Sequence, residues 1–270
     1  MKGSPDYLTP LLLEAPASWA LIRANEIRAL EKVSFDSPVL DVGCGDGVVA
    51  KVLLAGHGKK QFECGIDLSS REVNKAMRSG CYKECQVANV YNLPFKDNTF
   101  QTVFSNSVVE HLPKLDRALE EMSRVTKKGG ELVLTVPTPY LAKYLIGASF
   151  FSAIGMMPLA NAYGDFFNKL FKHYNLYTHQ EWEKLLAKHH LKLIVHSYYH
   201  TPGMIKVHEL LSYVALPVHL AKPLIGYWLV FPTVRKYFIV PWLKKILEQF
   251  YLADCLGEEG GSLMLVARKV

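Results

Sequence analysis

The chain has 270 residues, of which 50% are hydrophobic and 21% are charged, with a formal net charge of +6 at pH 7. A chain of this length and composition can bury a sizeable core, which excludes a low-complexity chain. The charge is modest and long apolar blocks separate the basic residues, which argues against a nucleic-acid-binding protein.

The cysteines and the amino terminus bear on where the protein works. Five scattered cysteines complete no metal-ligand set and favour a reducing compartment. The first residues lack the apolar core of a signal peptide, so we expect a cytoplasmic location. Residues 1–136 carry 17 basic and 17 acidic side chains, whereas residues 137–270 carry 14 and 8. The excess of basic over acidic side chains therefore lies in the second half of the chain. It makes anionic lipids or phosphate-bearing molecules candidate partners.

Hydrophobic periodicity and capping signals predict alternating helices and strands. The first predicted helix, residues 17–31, is expected to pack beside a sheet or to cover a ligand pocket. Ser69 and Thr178 each begin a capping box for a later helix. This alternation predicts parallel strands with helices on both faces. The predicted strands are 39–42, 61–67, 102–105, 131–136, 191–198 and 262–267, and the later helices are 48–54, 70–80, 115–125 and 178–188.

A glycine-rich turn follows the first predicted strand, where residues 39–47 read Val-Leu-Asp-Val-Gly-Cys-Gly-Asp-Gly. Glycines lack a Cβ atom and let a ligand touch the backbone where helix amides face it. Such turns serve nicotinamide, flavin and S-adenosylmethionine sites alike. Asp67 ends the second strand, 22 residues beyond Gly45, where a carboxylate can accept both ribose hydroxyls of a bound nucleoside.

Three further segments follow in order, and they narrow the choice of cofactor: Ala-Asn-Val-Tyr-Asn-Leu-Pro-Phe at 88–95, Ser-Asn-Ser-Val-Val-Glu-His-Leu at 105–112 and Lys-Lys-Gly-Gly-Glu-Leu at 127–132. With these motifs the chain resembles the class I S-adenosylmethionine-dependent methyltransferases, specifically the type-11 group that includes the quinone-biosynthesis methyltransferases. The resemblance is close over about residues 35–137 and loose over 178–200 and 261–268.

The resemblance implies an α/β fold with a doubly wound, mostly parallel seven-stranded sheet, helices on both faces and an antiparallel seventh strand, which is a Rossmann-like methyltransferase fold with two helical insertions. We expect a single domain over residues 1–270. Its expected parts are an N-terminal helical cap (1–34), a cofactor-binding core (35–136), a lid insertion (137–177) and an apolar, basic helical insertion (201–257).

The resemblance also implies S-adenosyl-L-methionine as cofactor, S-adenosyl-L-homocysteine as product, and a set of residues that contact them. These are Asp41, Gly43, Gly45 and Gly47 at the methionine end, the carbonyl of Ser105 at the ammonium, Asp67 at the ribose, and Leu68, Asn89 and Val90 around the adenine. The family usually has Asp in place of Asn89 and Gln101. The carbonyl oxygen of Asn89 can still accept a hydrogen bond from the adenine amino group.

Methyl transfer mainly requires that the acceptor be aligned with the sulfonium methyl and that water be excluded. If the acceptor is a hydroxyl, a nearby histidine is the expected proton acceptor. His111, directly after the fourth strand, and His173, in the first insertion, are the candidate catalytic residues, and His200 is a third. For each of them a packing or surface role is the alternative, and no metal site is predicted.

The first insertion, residues 137–177, leaves the carboxyl end of a strand and is expected to arch over the cofactor. It contains an uncharged run of 21 residues from Tyr144 to Gly164. A run of this length could span a membrane. Several Gly and Pro residues break it, however, which favours a buried lid over a membrane span.

The second insertion, residues 201–257, alternates apolar aromatic blocks with cations. The blocks include 210–216 and 224–231, and the cations are Lys222, Arg235, Lys236, Lys244 and Lys245. Apolar aromatic faces flanked by lysines suit a helix that lies in a bilayer interface, which predicts peripheral membrane contact or a lipid-like substrate. The alternative is an extra helical layer that packs on the core or on a second subunit of a homodimer, with its lysines solvated.

The function these features favour is transfer of a methyl group from S-adenosylmethionine to a small or lipid-linked acceptor, by O- or C-methylation. Two other classes of protein stay open. A non-catalytic methyltransferase-like binding or scaffold protein is supported by Asn89 and Gln101 alone. A nicotinamide-dependent oxidoreductase is permitted by the glycine turn, although the segments around Pro94 and His111 do not suggest it.

Overall fold

A seven-stranded sheet lies at the centre of the computed structural model, which describes residues 5–225, 235–255, 257 and 259–270. The strands are β1 (Val39–Val42), β2 (Phe62–Asp67), β3 (Tyr82–Val87), β4 (Phe100–Asn106), β5 (Thr126–Pro137), β6 (Leu191–Tyr199) and β7 (Ser262–Lys269). The α-helices are α1 (Leu8–Glu14), α2 (Ala17–Ala29), α3 (Val48–Gly56), α4 (Ser70–Ser79), α5 (Leu115–Val125), α6 (Tyr140–Tyr144), α7 (Ile146–Ala153), α8 (Met157–Leu170), α9 (His179–Lys188), α10 (Pro202–Ile225) and α11 (Val240–Tyr251).

The strand order is β3-β2-β1-β4-β5-β7-β6, and the neighbours from β3 to β5 pair in parallel. Strand β7 runs antiparallel to both β5 and β6. These pairings confirm the predicted doubly wound, mostly parallel sheet and its antiparallel seventh strand. The chain reverses its direction of winding between β1 and β4, and open sheets of this kind bind ligands at such a switch point.

Local sequence signals explain where several elements begin and end. The Ser69 hydroxyl accepts a hydrogen bond from the Glu72 amide at the start of α4, and Gly80 ends that helix in the left-handed conformation. Thr178 and Glu181 form a complete capping box at the start of α9. The predicted limits of both helices are therefore confirmed.

One strand was not recognised as such. The predicted strands include none between Asp67 and Thr102, but β3 lies there and is an edge strand with an exposed face. Its sequence, Tyr-Lys-Glu-Cys-Gln-Val, has no apolar run, because an edge strand needs to bury fewer side chains than a central one.

Helix α2 lies across the carboxyl edge of the sheet. Asn25 ties it to the C-terminal half of the chain, because its side-chain amide donates to the Tyr251 carbonyl (2.9 Å) and its oxygen accepts from the His200 amide (3.2 Å). The helix therefore lies over the carboxyl ends of the strands. This is the position in which the first predicted helix, residues 17–31, was expected to cover a ligand pocket.

The first insertion forms α6, α7 and α8, and the prediction that it is buried is wrong. Leu141, Leu145 and Ala148 are buried. Most of the apolar side chains of α7 and α8 point outward, and the most exposed include Phe150 (59%) and Phe166 (64%). The sequence pattern misleads here because an uncharged apolar run has the same composition whether it packs on the protein's own core or contacts an external surface.

The second insertion contains α10, a π-helical segment at Arg235–Ile239 and α11. The apolar block predicted at 224–231 lies outside the described residues from 226 onward, and so does the side chain of Lys222. Arg235 donates hydrogen bonds to the carbonyls of Leu12 and Ala15, which fastens this insertion to the N-terminal helices. Within the described part of the chain, none of the helices combines the length and the apolar character needed to cross a bilayer.

Candidate active site

The glycine-rich turn after β1 is hydrogen-bonded to the end of β2. The amides of Gly43 and Cys44 both donate to the Ile66 carbonyl, at 2.8 and 2.9 Å. The Gly45 amide donates to Oδ2 of Asp67 (3.1 Å), and the Ser69 amide donates to Oδ1 of the same side chain (2.8 Å). Two backbone donors thus fix the orientation of the Asp67 carboxylate beside the turn.

Gly43 and Gly45 both have positive φ angles, of +80° and +54°, but their surroundings differ. A Cβ atom on Gly43 would lie 2.4 Å from Cγ2 of Val108, whereas a Cβ atom on Gly45 would have nothing within 4 Å. Both residues line a cleft of about 180 Å³. The missing side chain of Gly43 therefore allows Val108 to pack closely against the turn. The missing side chain of Gly45 leaves the backbone of the turn accessible from the cleft.

This difference predicts opposite outcomes for two alanine variants. Gly43→Ala should lower the free energy of unfolding by about 2 to 4 kcal/mol, from left-handed strain and a clash in a packed site. Gly45→Ala should cost only about 1 kcal/mol in stability but should weaken S-adenosylhomocysteine binding, because its methyl group enters the open space. Urea unfolding and calorimetry measure the two quantities. Unchanged affinity in Gly45→Ala would show that the ligand does not approach this turn.

Asp41 supplies a buried acceptor to the same cleft. Its side chain is 3% exposed, and its Oδ2 accepts a hydrogen bond from the Tyr82 hydroxyl (2.6 Å). Its Oδ1 is buried and has no hydrogen-bond partner among the described residues. Burial raises the pKa of Asp41 to about 7, with Asp67 adding to the effect and the Tyr82 hydrogen bond opposing it. An unpaired buried acceptor favours a ligand that brings its own N–H or O–H donors, as the methionine end of S-adenosylmethionine does.

The other residues implied by the resemblance lie at varying distances from this cleft. Leu68 is 73% exposed, and Asn89 is exposed with its Oδ1 accepting from the Tyr91 amide (3.0 Å). Val90 is half-buried beside them. The Ala88 amide donates to the Asp67 carbonyl (3.1 Å), which holds the end of β3 next to that of β2. These residues therefore form an open surface at one side of Asp67.

Of the nine implied residues, Asp41, Gly43 and Gly45 line the cleft itself, whereas Asp67, Leu68, Asn89 and Val90 lie outside its lining, and so do Gly47 and Ser105. Gly47 packs inward, since a Cβ atom there would lie 2.8 Å from the Ser79 hydroxyl. Ser105 is fully buried, with its hydroxyl donating to the Val42 carbonyl (3.1 Å). The next two residues along β4, Asn106 and Ser107, line the cleft instead.

A second cavity of about 220 Å³ adjoins the cleft, and the two share the side chains of Trp19, Arg23 and Ser107 as common walls. We call it the acceptor cavity. Its remaining lining is mostly apolar and includes five titratable groups, one glutamate and four histidines. The remaining lining residues are Ile22, Glu110, His111, Pro137, Leu141, Leu145, Phe167, Phe171, His173, His200, Ile205, His208 and Ser262.

A buried ionic network connects the cleft to the acceptor cavity. Nη1 of Arg23 lies 2.5 Å from Oε2 of Glu26 and 2.7 Å from the Ser107 hydroxyl, which donates to Oε1 of Glu26 (2.7 Å). Asn106 and Tyr199 also donate to Glu26, each at 3.1 Å. Burial alone would raise the pKa of Glu26, but Arg23 and Ser107 together lower it, so Glu26 is ionised. Sequence reasoning missed this network; a possible signal was the spacing of three between Arg23 and Glu26, which places both side chains on one face of α2.

Glu110 is the second buried carboxylate that sequence reasoning missed. It is 2% exposed, its Oε2 has no hydrogen-bond partner among the described residues, and its Oε1 lies 3.6 Å from Nε2 of His111. Burial raises its pKa to about 8; Glu26 adds to this, and Arg23 opposes it. Glu110 therefore places a titratable, unpaired oxygen at the wall of the acceptor cavity.

The three candidate histidines all line the acceptor cavity, but in different environments. Nδ1 of His111 lies 3.2 Å from the Lys172 carbonyl, and its ring stacks on that of His173 with centroids 5.5 Å apart. Burial lowers the pKa of His111, and it lowers that of His173 to about 4, with His111 contributing to the latter shift. His200 has both ring nitrogens engaged, one with the Ser262 hydroxyl (2.8 Å) and the other with the Ile22 carbonyl (3.2 Å). His200 therefore has a packing role in this structure.

Comparison with known proteins gives a family match over the part of the chain that contains the glycine-rich turn, Asp67 and Glu110. Residues 40–134 match the type-11 family model described as a methyltransferase domain. A probable tRNA methyltransferase 9B from Mus musculus is 36% identical over 138 residues, which cover 50% of this chain and 28% of that protein. The sterol 4-C-methyltransferase strm-1 from Caenorhabditis elegans is 30% identical over 138 residues, covering 49% of this chain and 41% of that protein.

The solved structures extend the likeness to nearly the whole chain. The [4+2]-cyclase SpnF superposes with a TM-score of 0.56 at 18% identity, covering 98% of this chain and 93% of that one. Identity this low shows a common fold and nothing about the reaction. This chain spans well under half the length of the two curated relatives, and their names indicate chemically different acceptors. The expectation against nucleic acid therefore stays a prediction.

Proposed function

Because residues 40–134 of this chain form a methyltransferase domain of the class I, type-11 group, we propose that the protein transfers a methyl group from S-adenosylmethionine to a small or lipid-linked acceptor. The observation that carries the proposal is the adjacency of two cavities with three shared walls. One holds an oxygen of Asp41 and the other an oxygen of Glu110, and neither atom has a hydrogen-bond partner in the part of the chain that the structure describes. O- and C-methylation are both compatible with this arrangement.

The residues around the cleft would hold the cofactor at its two ends. Asp41 would accept hydrogen bonds at the methionine end, and the open backbone at Gly45 would allow close approach there. Asp67 would accept the ribose hydroxyls, while Leu68, Asn89 and Val90 would border the adenine. The expected contact between the Ser105 carbonyl and the ammonium is not supported, because Ser105 is fully buried and does not line the cleft. When bound, S-adenosylmethionine supplies a methyl group already activated by the sulfonium centre.

The acceptor cavity would position the other reactant. Its apolar walls, which include Leu145 and Phe167, suit a hydrocarbon portion of the acceptor, and Glu110 and His111 suit its reacting polar end. For a hydroxyl acceptor, the Glu110 carboxylate would take the hydroxyl proton while the acceptor oxygen forms its bond to the methyl carbon, the bond from that carbon to sulfur breaks and S-adenosylhomocysteine leaves; the proton would later pass to water. His111 and His173 remain candidates for the same role, because their lowered pKa values keep both rings neutral and able to accept a proton.

Membrane contact through residues 201–257 is compatible with a lipid-linked acceptor. Tyr237 (63%), Phe238 (74%) and Trp242 (62%) are exposed within this insertion. Lys236 stacks over the Tyr237 ring, and Lys244 pairs with Asp6 (2.6 Å). Exposed rings beside cations favour an interfacial position over a solvated helical layer.

Calorimetry with S-adenosylhomocysteine tests the proposal directly. We expect one binding site per chain and no displacement by a nicotinamide dinucleotide, because the Asp41 and Asp67 carboxylates are arranged for an amino group and a ribose. Lack of binding by protein shown to be folded would contradict the proposed function. Displacement by the dinucleotide would instead favour an oxidoreductase.

A further inference from the structure

The hairpin formed by α7 and α8 carries an extensive exposed apolar surface, here called the hairpin surface. Leu159, Phe166 and Leu170 are 43%, 64% and 62% exposed. Their spacings of seven and four residues place them on one face of α8. The hairpin surface consists of these three residues and of Phe150, Ile154, Met156 and Met157 at the tip.

The inner face of the hairpin is already packed within the protein. Ala160 and Gly164 are buried, and a Cβ atom on Gly164 would touch that of Ala142 at 3.1 Å. Glu209 of α10 anchors both helices, because Oε2 accepts from the Ile146 amide (2.6 Å) and Oε1 accepts from the Tyr163 hydroxyl (2.5 Å). The hairpin is thus held firmly by its inner face, while its outer face is left uncovered by the described residues.

The hairpin surface continues to the acceptor cavity. Phe171 follows Leu170 directly, is 49% exposed and lines the cavity together with Phe167. An apolar molecule in contact with the outer face of α8 would therefore meet an apolar path to the site where Glu110 and His111 lie.

The charges around the hairpin are arranged for an anionic partner. No charged side chain occurs from Tyr144 to Gly164. At the base of the hairpin Lys143, Lys169 and Lys172 are exposed, against two exposed acidic residues, Asp165 and Glu259, the second of which acts electrostatically on Tyr144. Apolar side chains at a tip with lysines at its base match the depth profile of a bilayer surface with anionic headgroups. A second copy of the chain would bring the same lysines together, which disfavours self-association through this face.

We propose that the hairpin surface docks on an anionic lipid bilayer, with the side chains of the tip and of the outer face of α8 in the interfacial region. The bilayer would then lie at the entrance to the acceptor cavity. A lipid-like acceptor would reach Glu110 from the membrane without crossing water, a consequence that rests on the proposed methyltransferase function.

Vesicle sedimentation tests the docking. The vesicles are phosphatidylcholine with about a quarter phosphatidylglycerol, compared with phosphatidylcholine alone. The wild-type protein should sediment with the anionic vesicles and much less with the neutral ones. The double variant Phe166→Ser, Leu170→Ser should bind about tenfold less or weaker still, because two large apolar side chains are lost from the contact. The matched double variant Met77→Ser, Val195→Ser, which removes two exposed apolar side chains elsewhere, should bind like the wild type.

The possible results separate docking from folding and from catalysis. Binding of S-adenosylhomocysteine by each variant shows that its core is intact, and vesicle binding is measured without any transfer reaction. The proposal is overturned if the wild-type protein stays in the supernatant, or if the Phe166, Leu170 variant binds as well as the Met77, Val195 variant. It is also overturned if sedimentation velocity shows a wild-type dimer that the Phe166, Leu170 variant has lost.

Discussion

Replacing Glu110 with glutamine is expected to lower kcat about 100- to 1000-fold, because the variant keeps the shape of the side chain but cannot accept the acceptor's proton. Affinity for S-adenosylhomocysteine should change little, since Glu110 lines the acceptor cavity and not the cofactor cleft. Steady-state kinetics and calorimetry on the same preparations separate the two effects.

The pH profile distinguishes Glu110 from the neighbouring histidines. Because the pKa of Glu110 is raised to about 8, the carboxylate form increases as the pH rises through that value, and kcat/KM should rise with it. This rise should disappear in Glu110→Gln. A rise that persists in the variant would contradict the assignment. A rise centred near pH 4 instead would favour His173, whose pKa is about 4.

Protein stability gives a control for a purely structural role of Glu110. Its folded-state pKa is raised from 4.5 to about 8, so the unfolded chain releases the proton first. The stability contributed by the protonated side chain is complete below about pH 4.5 and is lost as the pH approaches 8. Glu110→Gln should therefore be as stable as the wild type in acid and more stable near pH 8. Thermal unfolding across this range tests the sign, and loss of stability at every pH would indicate a packing role.

Replacing Asp67 with alanine is expected to weaken S-adenosylhomocysteine binding by about 100-fold or more. The change removes the proposed acceptors for two ribose hydroxyls, and charge-assisted hydrogen bonds are each worth about 1.5 to 3 kcal/mol. In the wild-type protein the Gly45 and Ser69 amides donate to this carboxylate. The substitution leaves both amides without that acceptor, so the glycine turn loses a restraint. Calorimetric titration gives the affinity directly.

Two comparisons make the Asp67 experiment specific. Asp67→Asn keeps one oxygen acceptor and should fall between alanine and the wild type. Asp116→Ala removes an exposed carboxylate far along the chain that pairs with His189, and it should leave the affinity unchanged. Equal affinity in Asp67→Ala and Asp116→Ala would place the ribose elsewhere and would remove the main support for the cofactor orientation.

The cofactor half of the molecule could be predicted in some detail from the sequence. The strand that ends at Val42, the glycine turn and Asp67 lie within about thirty residues, and the order of such local signals specifies a βαβ unit. The predicted capping box at Thr178 is complete, whereas Ser69 caps its helix through its hydroxyl alone, because the Ser69 amide donates to Asp67 and not to Glu72. The strand at Tyr82–Val87 was missed because a polar edge strand lacks the apolar run that marks a buried one.

The acceptor side was decided by the tertiary structure. Arg23 and Glu26 of α2 meet Ser107, more than 80 residues away. Only the fold buries Glu110 and leaves one of its oxygens without a partner among the described residues. Periodicity also could not say whether the uncharged run from Tyr144 to Gly164 is covered. Local sequence determines which backbone conformation and which helix face are favoured, because these depend on neighbours along the chain. The packing of the whole chain decides which distant groups come into contact and which apolar face stays exposed. A local sequence pattern does not contain this information.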